Sequence, residues 1–214
     1  MDKEKKKREK PTSAWGKIWY FIWEDDSVWS WIINIILAFV LIKFIIYPGL
    51  GFVLGTSYPV VAVVSGSMEH DGNFDNWWDS TNCCTNRICA QTQSQGDFYA
   101  GYDISKSDFM NFPYENGFNT GDIMVLQGPT KVRVGDVIVF SVQGQAEPII
   151  HRVIKIQEHE DVQYYTTKGD HNCISSPFEQ DIHENRLLGK ALQRIPFLGW
   201  LKIIFVKLIG LLSF

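Results

Sequence analysis

The chain has no G-x-G-x-x-G, no Walker phosphate-binding sequence and no internal repeat. A nucleotide site built on a glycine-rich turn and a stacked solenoid therefore have no support. Cysteine is scarce, with 4 in 214 residues. Cys83, Cys84 and Cys89 share one polar loop, and Cys173 stands alone. The CC-x4-C run lacks the paired spacing of a zinc site, so no metal is expected. A disulfide is allowed if the domain lies outside the reducing cytoplasm, and the sequence does not choose among the possible pairings. Charge is nearly missing from 28–47, VWSWIINIILAFVLIKFIIY, where Lys43 is the one charged residue. Such a run is long enough to cross a hydrocarbon core of ~30 Å. A helix without a polar face has few soluble uses, and the run is too long and starts too late for a cleaved secretory signal. Acids are absent from 195–214, which carries only Lys202 and Lys207. That segment reads as a second membrane span or as a helix lying on the surface.

The charges that are present are unevenly placed. Residues 1–17 hold seven Lys/Arg against three Asp/Glu, whereas 59–195 hold ten against eighteen. Positive-inside logic keeps the basic end in the cytoplasm and puts the acidic domain outside. A tail this short and mixed in charge is a topology signal, and no nucleic-acid partner is expected. The reading divides the chain into four parts. Residues 1–27 form a cytoplasmic basic tail and an interfacial helix with Trp15, Trp19, Tyr20 and Trp23. A transmembrane anchor follows over 28–56, with Pro48-Gly49 expected to kink or end its helix. An extracytoplasmic domain covers 57–195, and a hydrophobic membrane-associated segment covers 196–214.

Within the domain, Pro59–Val64 is short and β-branched, as a strand requires. Residues 71–119 form a long polar insert. Its Trp77 and Trp78 either dip into the bilayer interface or cap the domain core. Beyond it, 121–126, 131–142, 148–156 and 162–168 alternate and are punctuated by turns. This pattern predicts a mainly β domain, a small antiparallel sheet or barrel.

The chemistry centres on SGSMEH, 65–70, a serine in a glycine-flanked turn after a short apolar run. A serine hydroxyl needs a neighbouring base to become a nucleophile. Of the five histidines, only His151 sits in an apolar strand pattern, IIHRV, which would hold its ring in one geometry. A carboxylate that sets the imidazole tautomer completes such a site. Asp170, in TKGDHN, and Asp181 are both candidates. The Ser67 backbone N–H and the Ser65 hydroxyl are candidate donors to an oxyanion, and Gly66 between them admits close approach of a substrate backbone.

Four blocks, SGSME, GDVIVF (135–140), HRVI and TKGDHN, in this order behind a membrane anchor, resemble type I signal peptidase of the archaeal and endoplasmic-reticulum branch. The resemblance covers about 48–71 and 120–200 and leaves out the insert. It implies Ser67 as nucleophile, Ser65 as oxyanion donor, His151 as general base and Asp170 at the site. The family's second aspartate falls here at Ser176, so the direct partner of His151 is either Asp170 or Asp181, with Asp181 able to take the role if the loop is a few residues longer. The implied activity is a membrane serine endopeptidase, without metal or organic cofactor, that cuts signal peptides from secreted precursors after small residues. Its expected location is the cell membrane, and its expected partners are signal peptides, the lipid bilayer and the protein translocation machinery. The substrate would add as a strand along the Pro59–Val64 edge. Val60, Val61, Val63, Gly66 and Met68 are the candidate substrate-binding residues. The rival readings are an inactive membrane-anchored relative that acts as a binding module, and a self-cleaving repressor. The latter would need a lysine base and a DNA-binding domain.

Overall fold

The computed structural model describes residues 11–80, 93–128 and 131–212, the last four as backbone alone. The basic run at 3–10 and the cysteines Cys83, Cys84 and Cys89 lie outside the described residues. Contacts divide the chain into two compact units, Met1–Leu50 and Gly51–Phe214.

In the first unit, helix α1 (Ala14–Trp23) starts at Ser13, whose hydroxyl accepts the Gly16 N–H. Trp15, Trp19 and Trp23 recur every fourth residue on α1, and all three are exposed. Ser27 caps α2 (Val28–Leu41) in the same manner. The two polar side chains near the start of α2 turn back to α1. Ser30 Oγ donates to the Phe21 carbonyl and Asn34 Nδ2 to the Ile22 carbonyl, which satisfies acceptors left open at the end of that helix.

The apolar helix continues without a break through a π segment (Ile42–Ile46) and α3 (Tyr47–Leu54), giving 27 residues from Val28 to Leu54. It is long and apolar enough to cross a membrane. The helix does not end at Pro48. In the π segment the Tyr47 N–H bonds to the Ile42 carbonyl, five residues back. This wider turn eases the contact that a proline ring makes with the carbonyl four residues earlier. The helix stops at Gly55, where φ is +67° and the Thr56 N–H bonds to the Gly51 carbonyl at 3.0 Å.

The second unit is built on one seven-stranded antiparallel sheet. Its strands are β1 (Val60–Ala62), β2 (Ile123–Gln127), β3 (Val137–Phe140), β4 (Ile149–His159), β5 (Val162–Lys168), β6 (Ile182–His183) and β7 (Leu187–Ile195). They lie in the order β1-β2-β7-β3-β4-β5-β6. Register shifts at Val125/Leu126, Val139/Phe140 and Val153/Lys155 add local twist and curl the sheet into a half-barrel. The mainly β expectation is met.

Strand β3 shows why the sheet has two cores. All four of its residues are buried. Alternation sends Val137 and Val139 to one side, with Val63, Met68, Phe118, Met124 and Leu126. Ile138 goes to the other with Phe140, Val153, Tyr165, Ile182 and Leu187.

A third, aromatic core comes from the insert. Short helices α4 (Phe74–Asp79), α5 (Gln95–Ala100) and α6 (Lys106–Phe109) start at Asn73, Ser94 and Ser105, the last two with full capping boxes. They pack Trp77, Trp78, Phe98, Tyr99 and Phe109 onto Ile154 of β4. Trp77 and Trp78 are thus core residues of the domain, 1% and 8% exposed, and not interfacial ones. The chain ends in helix α7 (Trp200–Leu212), the expected C-terminal hydrophobic helix.

Candidate active site

Ser67 lies in the turn that follows β1, which the Glu69 N–H closes on the Gly66 carbonyl at 3.1 Å. A Cβ at Gly66 would stand 3.0 Å from the Glu69 carboxylate, whose other oxygen accepts the Thr120 N–H at 2.9 Å. The turn is therefore tight and tied to the segment just before β2. His151 sits on β4 opposite Ile138 of β3. Its Nε2 is 2.9 Å from Ser67 Oγ. The Ser65 and Ser67 hydroxyls are 3.2 Å apart, which puts a second polar group beside the serine oxygen.

The other imidazole nitrogen, Nδ1, meets Glu179 Oε1. Glu179 is fully buried and His151 nearly so. The same carboxylate accepts the Thr167 hydroxyl at 3.2 Å on Oε1 and the Ser176 N–H at 2.9 Å on Oε2. Burial would raise the Glu179 pKa, but the His151 hydrogen bond and charge, with the Ser176 N–H, bring it below the usual carboxylate value. A carboxylate on Nδ1 assigns the proton to that nitrogen and leaves the Nε2 lone pair facing the serine hydroxyl. This arrangement can take a proton from Ser67 as it attacks a carbonyl.

Neither aspartate named from the sequence contacts His151. Strand alternation explains this for Asp170. Arg152 and His151 are neighbours on β4, so their side chains leave opposite faces of the sheet. Arg152 pairs across with Lys168 of β5, and Val153 with Thr167. Thr167 and Gly169 consequently fall on the His151 side, and Lys168 and Asp170 on the Arg152 side. There the buried Asp170 carboxylate accepts from Arg152 Nε at 2.9 Å and Nη2 at 2.7 Å, and from the Tyr99 hydroxyl at 2.9 Å. His70 Nε2 lies 2.9 Å away on the same group. Burial works to raise the Asp170 pKa, but Arg152 and His70 hold it well below the usual range. Asp181 is exposed, with φ at +52° in the turn before β6.

Sequence reasoning missed Glu179 because it looked for an aspartate. The available signal was the capping box, with Ser176 and Glu179 bracketing the 3-10 turn Pro177–Glu179. That box places the glutamate carboxylate at a fixed spot beneath the histidine.

The candidate substrate residues separate in the structure. Val63 and Met68 are buried in the core, 2% and 0% exposed, and present no side-chain surface. Val60, Val61 and Gly66 are half-buried, and among the described residues β1 pairs with β2 alone, which leaves its other side as a sheet edge. Lys168, also buried, stands beside this site. Its Nζ donates to Gln95 Oε1 at 2.8 Å and to the Gly169 and Asp170 carbonyls at 3.1 Å. Burial lowers its pKa to about 7 against the opposing pull of Asp170 and Glu179. Cys173, between the two carboxylates, is disulfide-bonded. Among the described residues, no group of three or more His, Cys, Asp or Glu is placed to hold a metal ion.

No family model matches the chain. It is similar to signal peptidase complex catalytic subunits from several organisms. Identity to that of Plasmodium falciparum is 30% over 95 residues, covering 42% of this chain and 52% of the relative. Identity to that of Dictyostelium discoideum is 34% over 96 residues, covering 41% and 52%. A longer match, to that of Scheffersomyces stipitis, is 25% identical over 171 residues and covers 77% and 75%. The chain spans about half the length of the first two relatives. The likeness to type I signal peptidases of the archaeal and endoplasmic-reticulum type, visible in four sequence blocks, is borne out by these relatives at modest identity.

Proposed function

We propose that this chain is a membrane-bound serine endopeptidase that removes signal peptides from secreted precursors. In this reading Ser67 is the nucleophile, His151 the general base, and Glu179 the carboxylate that orients His151. The observation that carries it is the 2.9 Å contact between Ser67 Oγ and His151 Nε2, with Nδ1 of the same ring on a buried carboxylate. The similarity to signal peptidase catalytic subunits supplies the substrate class.

The precursor's cleavage segment adds to the free side of β1, and small side chains precede the cut. His151 takes the Ser67 proton, Ser67 forms an acyl-enzyme as the mature chain leaves, and water then attacks with His151 again as base. The Ser65 hydroxyl and the Ser67 N–H serve the oxyanion. Val60, Val61 and Gly66 line the substrate strand. Asp170 acts from the far side of the sheet.

The domain organisation follows the same proposal. Residues 1–27 are a cytoplasmic tail and interfacial helix, 28–56 the anchor, 57–195 the extracytoplasmic catalytic domain with its insert at 71–119, and 196–214 a membrane-associated segment. Cell-membrane anchoring brings enzyme and precursor into one bilayer and raises their effective concentration. The translocation machinery that delivers precursors is the expected partner.

The test is precursor cleavage by the full chain in lipid vesicles. Ser67→Ala abolishes cleavage while the circular dichroism spectrum and melting midpoint stay as in the wild type. Normal cutting by that variant refutes the serine mechanism.

A further inference from the structure

We propose that Tyr99 and His70 are positioning residues for this site, and that the insert carrying Tyr99 braces it from behind; the inference rests on the Ser67–His151 reading above. The turn at 169–171 lies directly against the reacting pair. A Cβ added at Gly169 would stand 2.7 Å from His151 Nε2 and 2.8 Å from the Ser67 carbonyl oxygen. The His171 N–H bonds that same carbonyl at 2.8 Å. The Asp170 N–H meets Met68 Sδ at 3.4 Å. Where this turn sits therefore sets where Ser67 stands relative to His151.

The turn is held from behind by the Asp170 side chain, and each donor to it belongs to a different part of the chain. Arg152 is the residue after His151 on β4. His70 is three residues after Ser67, and its ring lies flat on Trp77 of α4, with centroids 3.6 Å apart and planes 4° from parallel. Tyr99 comes from α5. The insert also reaches Arg152 directly, since the Pro113 and Tyr114 carbonyls accept from its Nη1 and Nη2 at 2.8 Å. The guanidinium also rests on the Phe109 ring, 4.5 Å from its centroid. One buried carboxylate thus joins the serine turn, the base strand and the insert. Donors to a buried charge act as a unit, because none is replaced by water when it is lost. Loss of one lets the turn shift, and misplacement by ~1 Å costs a rate on the order of a hundredfold.

The experiment compares single-turnover and steady-state precursor cleavage by the full chain, well below each variant's melting midpoint so that the protein is fully folded. Ser67→Ala is run first as the blank. Tyr99→Phe keeps the ring in its aromatic core and removes only the hydroxyl. Its kcat and single-turnover rate fall roughly tenfold to a hundredfold with KM unchanged. His70→Gln, which retains an N–H near the place of Nε2, keeps most of the rate, and His70→Ala does not. Wild-type kcat in Tyr99→Phe, or a raised KM with kcat intact, overturns the proposal. Equal losses in His70→Gln and His70→Ala remove His70 from it. Cleavage by the Ser67→Ala blank instead overturns the reading on which it rests, so the two failures are distinguishable.

Discussion

Replacing Glu179 by glutamine tests the site at its least expected member. The side chain keeps its size and loses its charge. Three donors point at the carboxylate: His151 Nδ1, the Thr167 hydroxyl and the Ser176 N–H. An amide has one oxygen to offer, so its NH2 must face one side or the other. Facing Ser176, it sacrifices the capping box, which costs about 1 kcal/mol of stability. Facing His151, it imposes the tautomer with Nε2 protonated, and that nitrogen then cannot take the Ser67 proton. A backbone N–H can only donate, whereas the imidazole can change tautomer and the Thr167 hydroxyl can turn to accept, so the oxygen stays on Ser176 and the NH2 faces Nδ1. A neutral amide at this place in other serine peptidases lowers kcat by about 10^4 when the tautomer is also wrong. With Nε2 protonated here too, a fall of about 10^4 is expected, equivalent to ~5 kcal/mol of barrier. The assay is precursor cleavage by the full chain in vesicles, with Glu179→Asp and Asp181→Asn alongside. Glu179→Asp retains the charge and recovers part of the rate. Asp181→Asn, altering an exposed side chain, leaves cleavage unchanged. A Glu179→Gln enzyme of near wild-type rate, or loss of activity in Asp181→Asn, refutes the reasoning.

Two further substitutions probe the surroundings. Gly169→Ala puts a methyl 2.7 Å from His151 Nε2, so cleavage falls by a hundredfold or more at the order-of-magnitude level while the protein still folds, as read by kcat and melting midpoint. Lys168 is lowered to about 7 by burial when folded and titrates near 10.4 when unfolded, so between these values the unfolded chain binds more protons. Stability of the wild type therefore rises with pH across that window, by at most about 1.4 kcal/mol per pH unit, and Lys168→Met flattens the rise. Melting midpoints in detergent from pH 7 to about 10 read this directly, and an unchanged slope in the variant sinks it.

The parts of this molecule that depend on near neighbours in sequence were legible before folding. The apolar run from Val28, the β-branched strand before the serine turn and the alternation through β2 to β5 all follow from periodicity, because a helix or strand exposes its side chains at a fixed interval. The turn around Ser67 and the strand setting of His151 were readable for the same reason. Of the two outcomes expected at Pro48-Gly49, a kink or an end, the helix does not end there, and the π turn that carries it past the proline depends on the three-dimensional path of the helix and leaves no mark in composition.

The partners of each carboxylate were decided by tertiary structure alone. Asp170 stands in the block that sequence likeness would assign to the histidine, yet the parity of β4 and β5 puts it on the Arg152 face. Glu179, nine residues later, reaches His151 because a capped turn folds beneath the strand. The insert looked like an irregular polar loop since its aromatic residues are spread over some forty positions, and only their convergence on Ile154 and Arg152 made a core of them. Sequence specifies which groups are available and their local spacing. Which face of the sheet each one occupies, and hence which charges meet, is a property of strand register, which long-range pairing sets.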